Sequence, residues 1–97
     1  MLNSKQRAKL RSIASSYEPM VMIGKDGLSD NVLDQIDKQL FAHEMVKVSV
    51  LDGAEESARD YLVKVASALK AEEVCSIGKR FVVYRQSNKK GLKHIEF

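Results

Sequence analysis

The sequence predicts one α/β domain, a mixed four-stranded sheet with helices packed against it, in the order α-β-α-β-α-β-β. Three observations predict it. Val46, Val48 and Val50 alternate with Lys47 and Ser49, the period of two that marks a strand. On either side of that run, 30–42 and 54–70 repeat apolar residues at intervals of three and four, as an amphipathic helix does. Two short runs rich in Val, Ile, Phe and Tyr, 73–77 and 81–85, flank Gly78-Lys79-Arg80, which predicts a hairpin and one necessarily antiparallel pair.

A chain of 97 residues suffices for one domain with a modest core. Hydrophobic residues make up 44% and charged residues 30%, the balance of a folded rather than a disordered chain. No apolar run approaches the roughly 18 residues of a membrane span, and Met1-Leu2-Asn3-Ser4-Lys5 lacks the apolar stretch of a signal peptide. A cytoplasmic, monomeric protein without membrane association is expected. The single cysteine, Cys75, excludes an internal disulfide. Net charge is +3, but it is unevenly placed. Residues 1–11 carry Lys5, Arg7, Lys9 and Arg11 and no acid, and residues 85–97 carry Arg85, Lys89, Lys90 and Lys93 against Glu96 alone. Basic ends on a mildly acidic body suggest a footprint for a polyanion, with solvated tails as the alternative.

In chain order, 4–15 reads as a first helix capped by Ser4, with Leu10, Ile13 and Ala14, and Arg7 or Gln6 one turn earlier, on its apolar face, where long cationic stems can cover apolar surface. Pro19 follows, where its fixed φ and missing N–H stop the helix. The run Met20-Val21-Met22-Ile23, bounded by Pro and Gly, suits a strand buried on both faces. Ser29 caps a second helix over 30–42, whose buried face takes Val32, Leu33, Ile36, Leu40 and Phe41. The strand 45–51 exits through Asp52-Gly53 into a third helix over 54–70, burying Ala58, Leu62, Val65, Ala66 and Leu69 with Tyr61 at the margin. Both crossover helices lie on one face if both crossovers step in one direction. In the last strand the alternation leaves two assignments, with either Phe81 and Val83 or Val82 and Tyr84 facing the core. Phe41, Tyr61 and Phe81 are expected to be core aromatics. The domain is expected to span 1–86, followed by a loose basic tail over 87–97.

The stretch Ile23-Gly24-Lys25-Asp26-Gly27-Leu28-Ser29 joins the first strand to the second helix through two glycines three apart. Glycine tolerates positive φ and lets backbone approach a bulky anion, and the helix beyond turns its free N–H groups and positive dipole end toward the same place. It is a candidate phosphate-binding turn; a purely geometric strand-to-helix turn is the alternative. Lys25 suits a phosphate. Asp26 opposes one unless its carboxylate points away or accepts an N–H of its own turn.

The succession of the basic Lys-Gln-Arg helix, Pro19, the apolar strand, Gly24-Lys25-Asp26-Gly27-Leu28-Ser29, Val46-Lys47-Val48 and Ile77-Gly78-Lys79-Arg80-Phe81-Val82-Val83-Tyr84-Arg85 resembles the CRM domain, the chloroplast RNA splicing and ribosome maturation module. As a stand-alone chain it is similar to the YhbY family, over about residues 2–86. The resemblance implies RNA binding, association with precursors of the large ribosomal subunit, and a fold similar to the C-terminal domain of bacterial translation initiation factor three. It implies a Gly-x-x-Gly RNA-backbone loop at Gly24, Lys25, Asp26 and Gly27, and a second signature at Gly78, Lys79, Tyr84 and Arg85.

Chemistry of other kinds finds little support. His43 and His94 are far apart without Cys or His neighbours at metal-ligand spacing, Cys75 has no neighbouring motif, and neither a Walker A nor a Rossmann fingerprint follows the first strand. The acids Asp52, Glu55, Glu56 and Asp60 read as dipole compensation at the third helix. No catalytic residue, metal or cofactor is expected. The expected function is RNA binding, to ribosomal RNA of large-subunit precursors with ribosomal proteins as further partners. Gly24, Lys25, Asp26 and Gly27 form the loop, and Lys5, Arg7, Lys9, Arg11, Lys79, Arg80, Arg85, Lys89 and Lys90 the surrounding positive field. The competing class is a protein-interaction module whose basic surface docks an acidic partner.

Overall fold

The computed structural model describes residues 2–97; Met1, which the expected 1–86 domain includes, lies outside them. The elements are α1 (Ser4–Ala14), β1 (Val21–Ile23), α2 (Asp30–His43), β2 (Met45–Val50), α3 (Ala58–Leu69), β3 (Glu72–Ile77) and β4 (Arg80–Tyr84). Side-chain caps set where the helices begin. Asn3, not Ser4, caps α1: its Oδ1 accepts the Gln6 N–H at 2.8 Å while Gln6 Oε1 accepts the Asn3 N–H at 3.1 Å, a reciprocal capping box. Ser29 Oγ accepts the Val32 N–H at 3.2 Å and starts α2. Ser57 Oγ does the same for Asp60, so α3 begins at Ala58 and not near Ala54.

The sheet order is β1-β2-β4-β3. β1 and β2 are parallel, and β4 is antiparallel to both β2 and β3. β4 is thus inserted between the two strands that α3 connects. Both crossovers step in the same direction, and α2 and α3 lie together on one face as right-handed connections require. Under them, Val21, Ile23, Val46, Val48, Val50, Phe81 and Val83 meet Ile36, Leu40, Tyr61, Leu62 and Val65.

α1 covers the opposite face, where Leu2, Leu10 and Ala14 pack on Met45, Val74, Val82 and Tyr84. Both assignments for β4 therefore hold, because the strand is central and covered on each side. A bulge at Val74 puts Val74 and Cys75 side by side on the α1 face. Lys47 Nζ donates to the Ala14 and Tyr17 carbonyls at 3.3 and 3.1 Å, fixing the C-terminus of α1 to the sheet.

Two expectations of burial change, and a third is decided between margin and core. Met22 is 51% exposed, because α1 ends at Ala14 and leaves that side of the edge strand β1 uncovered. Phe41 is 45% exposed, since it lies one residue past Leu40 and so turns about 100° off the buried stripe. Tyr61 is inside the core, at 2% exposure.

The segment 87–97 forms no helix or strand but is tied down by Glu44. Glu44 caps α2 in the left-handed region (φ 67°) and is fully buried. Its carboxylate accepts the Ser87 N–H at 2.7 Å and the Ile95 N–H at 2.9 Å and meets His94 Nδ1 at 2.5 Å. Phe97 adds an edge-to-face contact with Tyr84, ring centroids 5.1 Å apart.

Candidate nucleic-acid interface

The Gly24–Gly27 turn lies at the end of the sheet where β1 and β2 finish and β4 begins. The Gly27 N–H closes it on the Gly24 carbonyl at 3.0 Å. Only Gly27 needs to be glycine for its backbone, at φ +64°, and a Cβ there would stand 3.5 Å from the Tyr61 hydroxyl. Gly24 has no positive φ, and a Cβ would meet Leu51 Cδ1 at an ordinary 3.7 Å. Among the described residues the N–H groups of Lys25 and Asp26 have no backbone acceptor in the turn. Asp30 and Asn31, ahead of the capped Val32 N–H, supply the free amides of the α2 N-terminus. Lys25 and Asp26 are exposed at the tip, and the Asp26 carboxylate accepts no hydrogen bond among the described residues.

Two further loops share this end. The β3–β4 hairpin is held to β2 by the Val50 N–H donating to the Lys79 carbonyl at 2.6 Å. The β2–α3 loop faces the glycine turn directly, and a Cβ on Gly53 would stand 3.9 Å from Lys25 Cβ. Because α3 starts only at Ala58, the acids Asp52, Glu55 and Glu56 belong to this loop rather than to the first turn of the helix. A cleft of about 520 Å³ between loop and turn is lined by Lys25, Asp26, Gly27, Glu55, Glu56 and Lys64. Its charge is mixed. Glu56 is paired with Lys64 and raises that amine's pKa, and Asp52 is paired with Lys79.

On the α1 side of the same end the balance reverses. A groove of about 560 Å³ runs between α1 and the sheet, lined by Ala8 and Arg11 of α1 and by Lys47, Cys75, Ile77, Arg80 and Val82 of the strands. No carboxylate lines it. Burial pushes the Cys75 thiol pKa up, partly opposed by the positive charges of Arg11 and Lys47. Arg11, Arg80, Lys5, Lys9 and Lys25 form no ion pair among the described residues.

The remaining expected cations are elsewhere. Arg7 is held inside the fold, its Nε donating to the Glu73 carbonyl at 2.9 Å. Arg85 is also held there, pairing with Asp37 at 2.8 Å and donating to the Leu69 carbonyl at 3.0 Å, so that it joins α2 to the end of α3. Lys89 and Lys90 sit in the segment tied to Glu44, at the opposite end of β2 from the glycine turn. Lys47, read as an outward residue of an alternating strand, lines the groove; only the placement of α1 reveals it.

No helix is long and apolar enough to cross a membrane, and among the described residues no group of three or more His, Cys, Asp or Glu is placed to hold a metal ion. A family model described as the CRS1 / YhbY (CRM) domain matches residues 2–85. A Bacillus subtilis protein named "Probable RNA-binding protein YqeI" is 38% identical over 87 residues, 90% of this chain and 91% of that one. A Haemophilus influenzae protein named "RNA-binding protein" is 35% identical over 86 residues, 89% of this chain and 87% of that one. The solution structure of a hypothetical Staphylococcus aureus protein, a candidate RNA binder, superposes with a TM-score of 0.79 at 36% identity, covering 93% of this chain and 94% of that one.

Proposed function

We propose that this chain, which belongs to the CRS1 / YhbY (CRM) domain family, is a non-catalytic RNA-binding protein that acts on ribosomal RNA in precursors of the large subunit. The observation that carries the reading is the coincidence, at one end of the sheet, of the Gly24–Gly27 turn, the free amides of α2 and the unpaired cations Lys25, Arg80 and Arg11. Amides and dipole receive a backbone phosphate, and Lys25 neutralises it. The names of the relatives support RNA as the partner.

The acids set the direction of the strand. Asp26 and Glu55, which have no ion-pair partner among the described residues, repel phosphates on the α3 side of the turn, whereas Arg11, Lys47 and Arg80 attract them on the α1 side. The RNA backbone therefore leaves the turn across the α1 face. Contacts of this kind position RNA without reading sequence, so selectivity comes from RNA shape and from neighbours on the particle.

Fluorescence anisotropy with fragments of large-subunit ribosomal RNA at two salt concentrations tests the site. Binding is expected at low salt, to weaken steeply with added salt, and to be lost in the double variant Lys25→Glu, Gly27→Asp. Unchanged affinity in that variant removes the turn from the interface. Crosslinking in cells with sequencing of bound RNA tests the ribosomal part, and recovery of mostly messenger RNA sinks it.

A further inference from the structure

The face of the sheet beyond the end of α1 is open, and its strands are in register across it. Met22 pairs with Ser49, Ser49 with Arg80, and Arg80 with Ile77, so these four side chains form one row on the α1 side. The next row inward is Lys47, Val82 and Cys75. Met22 and Ile77, at the two ends of the outer row, are 51% and 56% exposed. A guanidinium thus lies between two solvent-facing apolar side chains, beside Cys75 and Val82, with Arg11 and Lys47 lining the same groove.

We propose that this open row is a seat for an unstacked RNA base, with the Arg80 guanidinium stacked on the base and Arg11 and Lys47 holding the adjoining phosphate. The inference rests on the RNA reading of the glycine turn and adds to it the groove, the ligand group and the residue that stacks. Arg can serve as a planar stacking surface for splayed-out bases where no aromatic is present. The row spans three inter-strand gaps, about 14 Å, which accommodates a base lying flat. Its near end, Met22, is two residues from Gly24, about 7 Å along the strand, so one backbone reaches both sites. Lys47 is fixed by the Ala14 and Tyr17 carbonyls, which keeps its charge in the groove without further ordering.

An acidic peptide fits the same charge less well. The central strands β2 and β4 have their N–H and C=O groups engaged on both sides. The free groups of the edge strands β1 and β3 point out of the sheet's sides rather than up from this face, so a peptide lying across the row finds no main-chain partners on it. A base needs none, since its flat surface meets apolar side chains and a guanidinium.

Cys75, the only cysteine, reports on the groove. Its alkylation by N-ethylmaleimide, at alkaline pH because burial raises the thiol's pKa, is followed by mass spectrometry with a single-stranded oligouridylate or an abasic oligonucleotide of equal length. Anisotropy measures binding of each in parallel. The oligouridylate is expected to slow alkylation about tenfold at ten times its Kd, by mass action, and the abasic strand to bind more weakly by roughly five- to a hundredfold and to leave the thiol unprotected when bound. In Arg80→Lys, which keeps the charge and loses the plane, that difference in affinity is expected to collapse. If both strands bind and neither protects Cys75, or if both bind and protect equally, the base seat is refuted while the glycine-turn site stands. Equal protection by polyglutamate refutes it in favour of a charge-driven protein surface. If neither strand nor ribosomal RNA binds at low salt, the RNA reading itself falls.

Discussion

Replacing Glu44 by Ala is expected to release residues 87–97 while leaving the sheet and helices folded. The carboxylate is fully buried and takes three partners, the Ser87 and Ile95 N–H groups at 2.7 and 2.9 Å and His94 Nδ1 at 2.5 Å. Alanine keeps the same side-chain class for the left-handed backbone, so the change isolates the carboxylate. Two amides would lose their acceptor, at about 1–3 kcal/mol each if they stayed buried. Against that stand the Ser87 hydroxyl donating to the Phe41 carbonyl at 2.6 Å, about 1 kcal/mol net, the Phe97 contact on Tyr84, about 0.5–1.5 kcal/mol, and the half-buried Ile95 side chain on the α1-side core, about 1 kcal/mol. Detachment is therefore the lower-energy outcome. Acid should act in the same way. Burial alone raises the Glu44 pKa, but the hydrogen bonds from Ser87, His94 and Ile95 outweigh it and hold it below the ordinary 4.5. The folded value lies below the unfolded one, so the stabilisation is present above about pH 4.5 and is lost as pH falls through the folded value. Amide hydrogen exchange read by NMR checks both routes. Ser87 and Ile95 should lose protection in Glu44→Ala at neutral pH, and in the parent protein on acidification, while Val48 and Val83 stay protected. Equal protection of Ser87 and Ile95 in parent and variant would show that the carboxylate does not hold the segment.

Gly27→Ala should cost about 1–2 kcal/mol for a non-glycine residue at φ +64°. Gly24→Ala, with no positive φ, should cost less than half of that; urea unfolding of the two variants compares them, and equal losses would contradict the turn geometry. Arg85→Met should destabilise by about 1–3 kcal/mol, because the Leu69 carbonyl and Asp37 lose their donor. Its RNA affinity, measured by anisotropy, should be unchanged, and a large loss would put Arg85 at the interface after all. Asp26→Asn should raise RNA affinity about threefold at low salt, the value for removing one like charge about 7 Å away in water, and the gain should shrink as salt is added. No gain at low salt would place the phosphate away from the turn.

The elements were legible because each depends on neighbours in sequence: the period of two at Val46, Val48 and Val50, the spacing of Ile36 and Leu40, the cap at Ser29. Even there a local ambiguity cost accuracy, since Ala54, Glu55 and Glu56 fit a helix until Ser57 caps it. What sequence did not show is set by long-range packing. Arg7 and Arg85 look like surface cations, and only the arrival of β3 and of α2 and α3 beside them supplies their carbonyl partners. Glu44 looks like an exposed acid after a helix; its partners are 43 to 51 residues away. Met22 sits in a run that reads as buried, and its exposure follows from where α1 stops.

The division of the cations yields a final quantitative test. Three of them bind carbonyls within the fold, and two of these act at helix C-termini, Lys47 on α1 and Arg85 on α3, where positive charge is favoured. Formal charge thus overstates the RNA footprint. If all ten basic residues gathered by the sequence reading met phosphates, the logarithm of the binding constant would fall against the logarithm of salt concentration with a slope near −7, at roughly 0.7 per phosphate on a single strand. Of the ten, the geometry keeps Arg11, Lys25 and Arg80 around the turn and groove, and it adds Lys47, whose charge lines the groove even though its amine donates to carbonyls; four phosphates give a slope near −3. Lys79 adds at most one more phosphate, since its pair with Asp52 is on the surface and exchanges easily. A measured slope between about −2 and −4 fits one strand running from the turn across the α1 face, and it should fall by about 0.7 in Arg80→Ala. A slope steeper than about −6 would mean that Lys89, Lys90 and the outer side of α1 also meet RNA, and the footprint would then wrap the far end of the sheet.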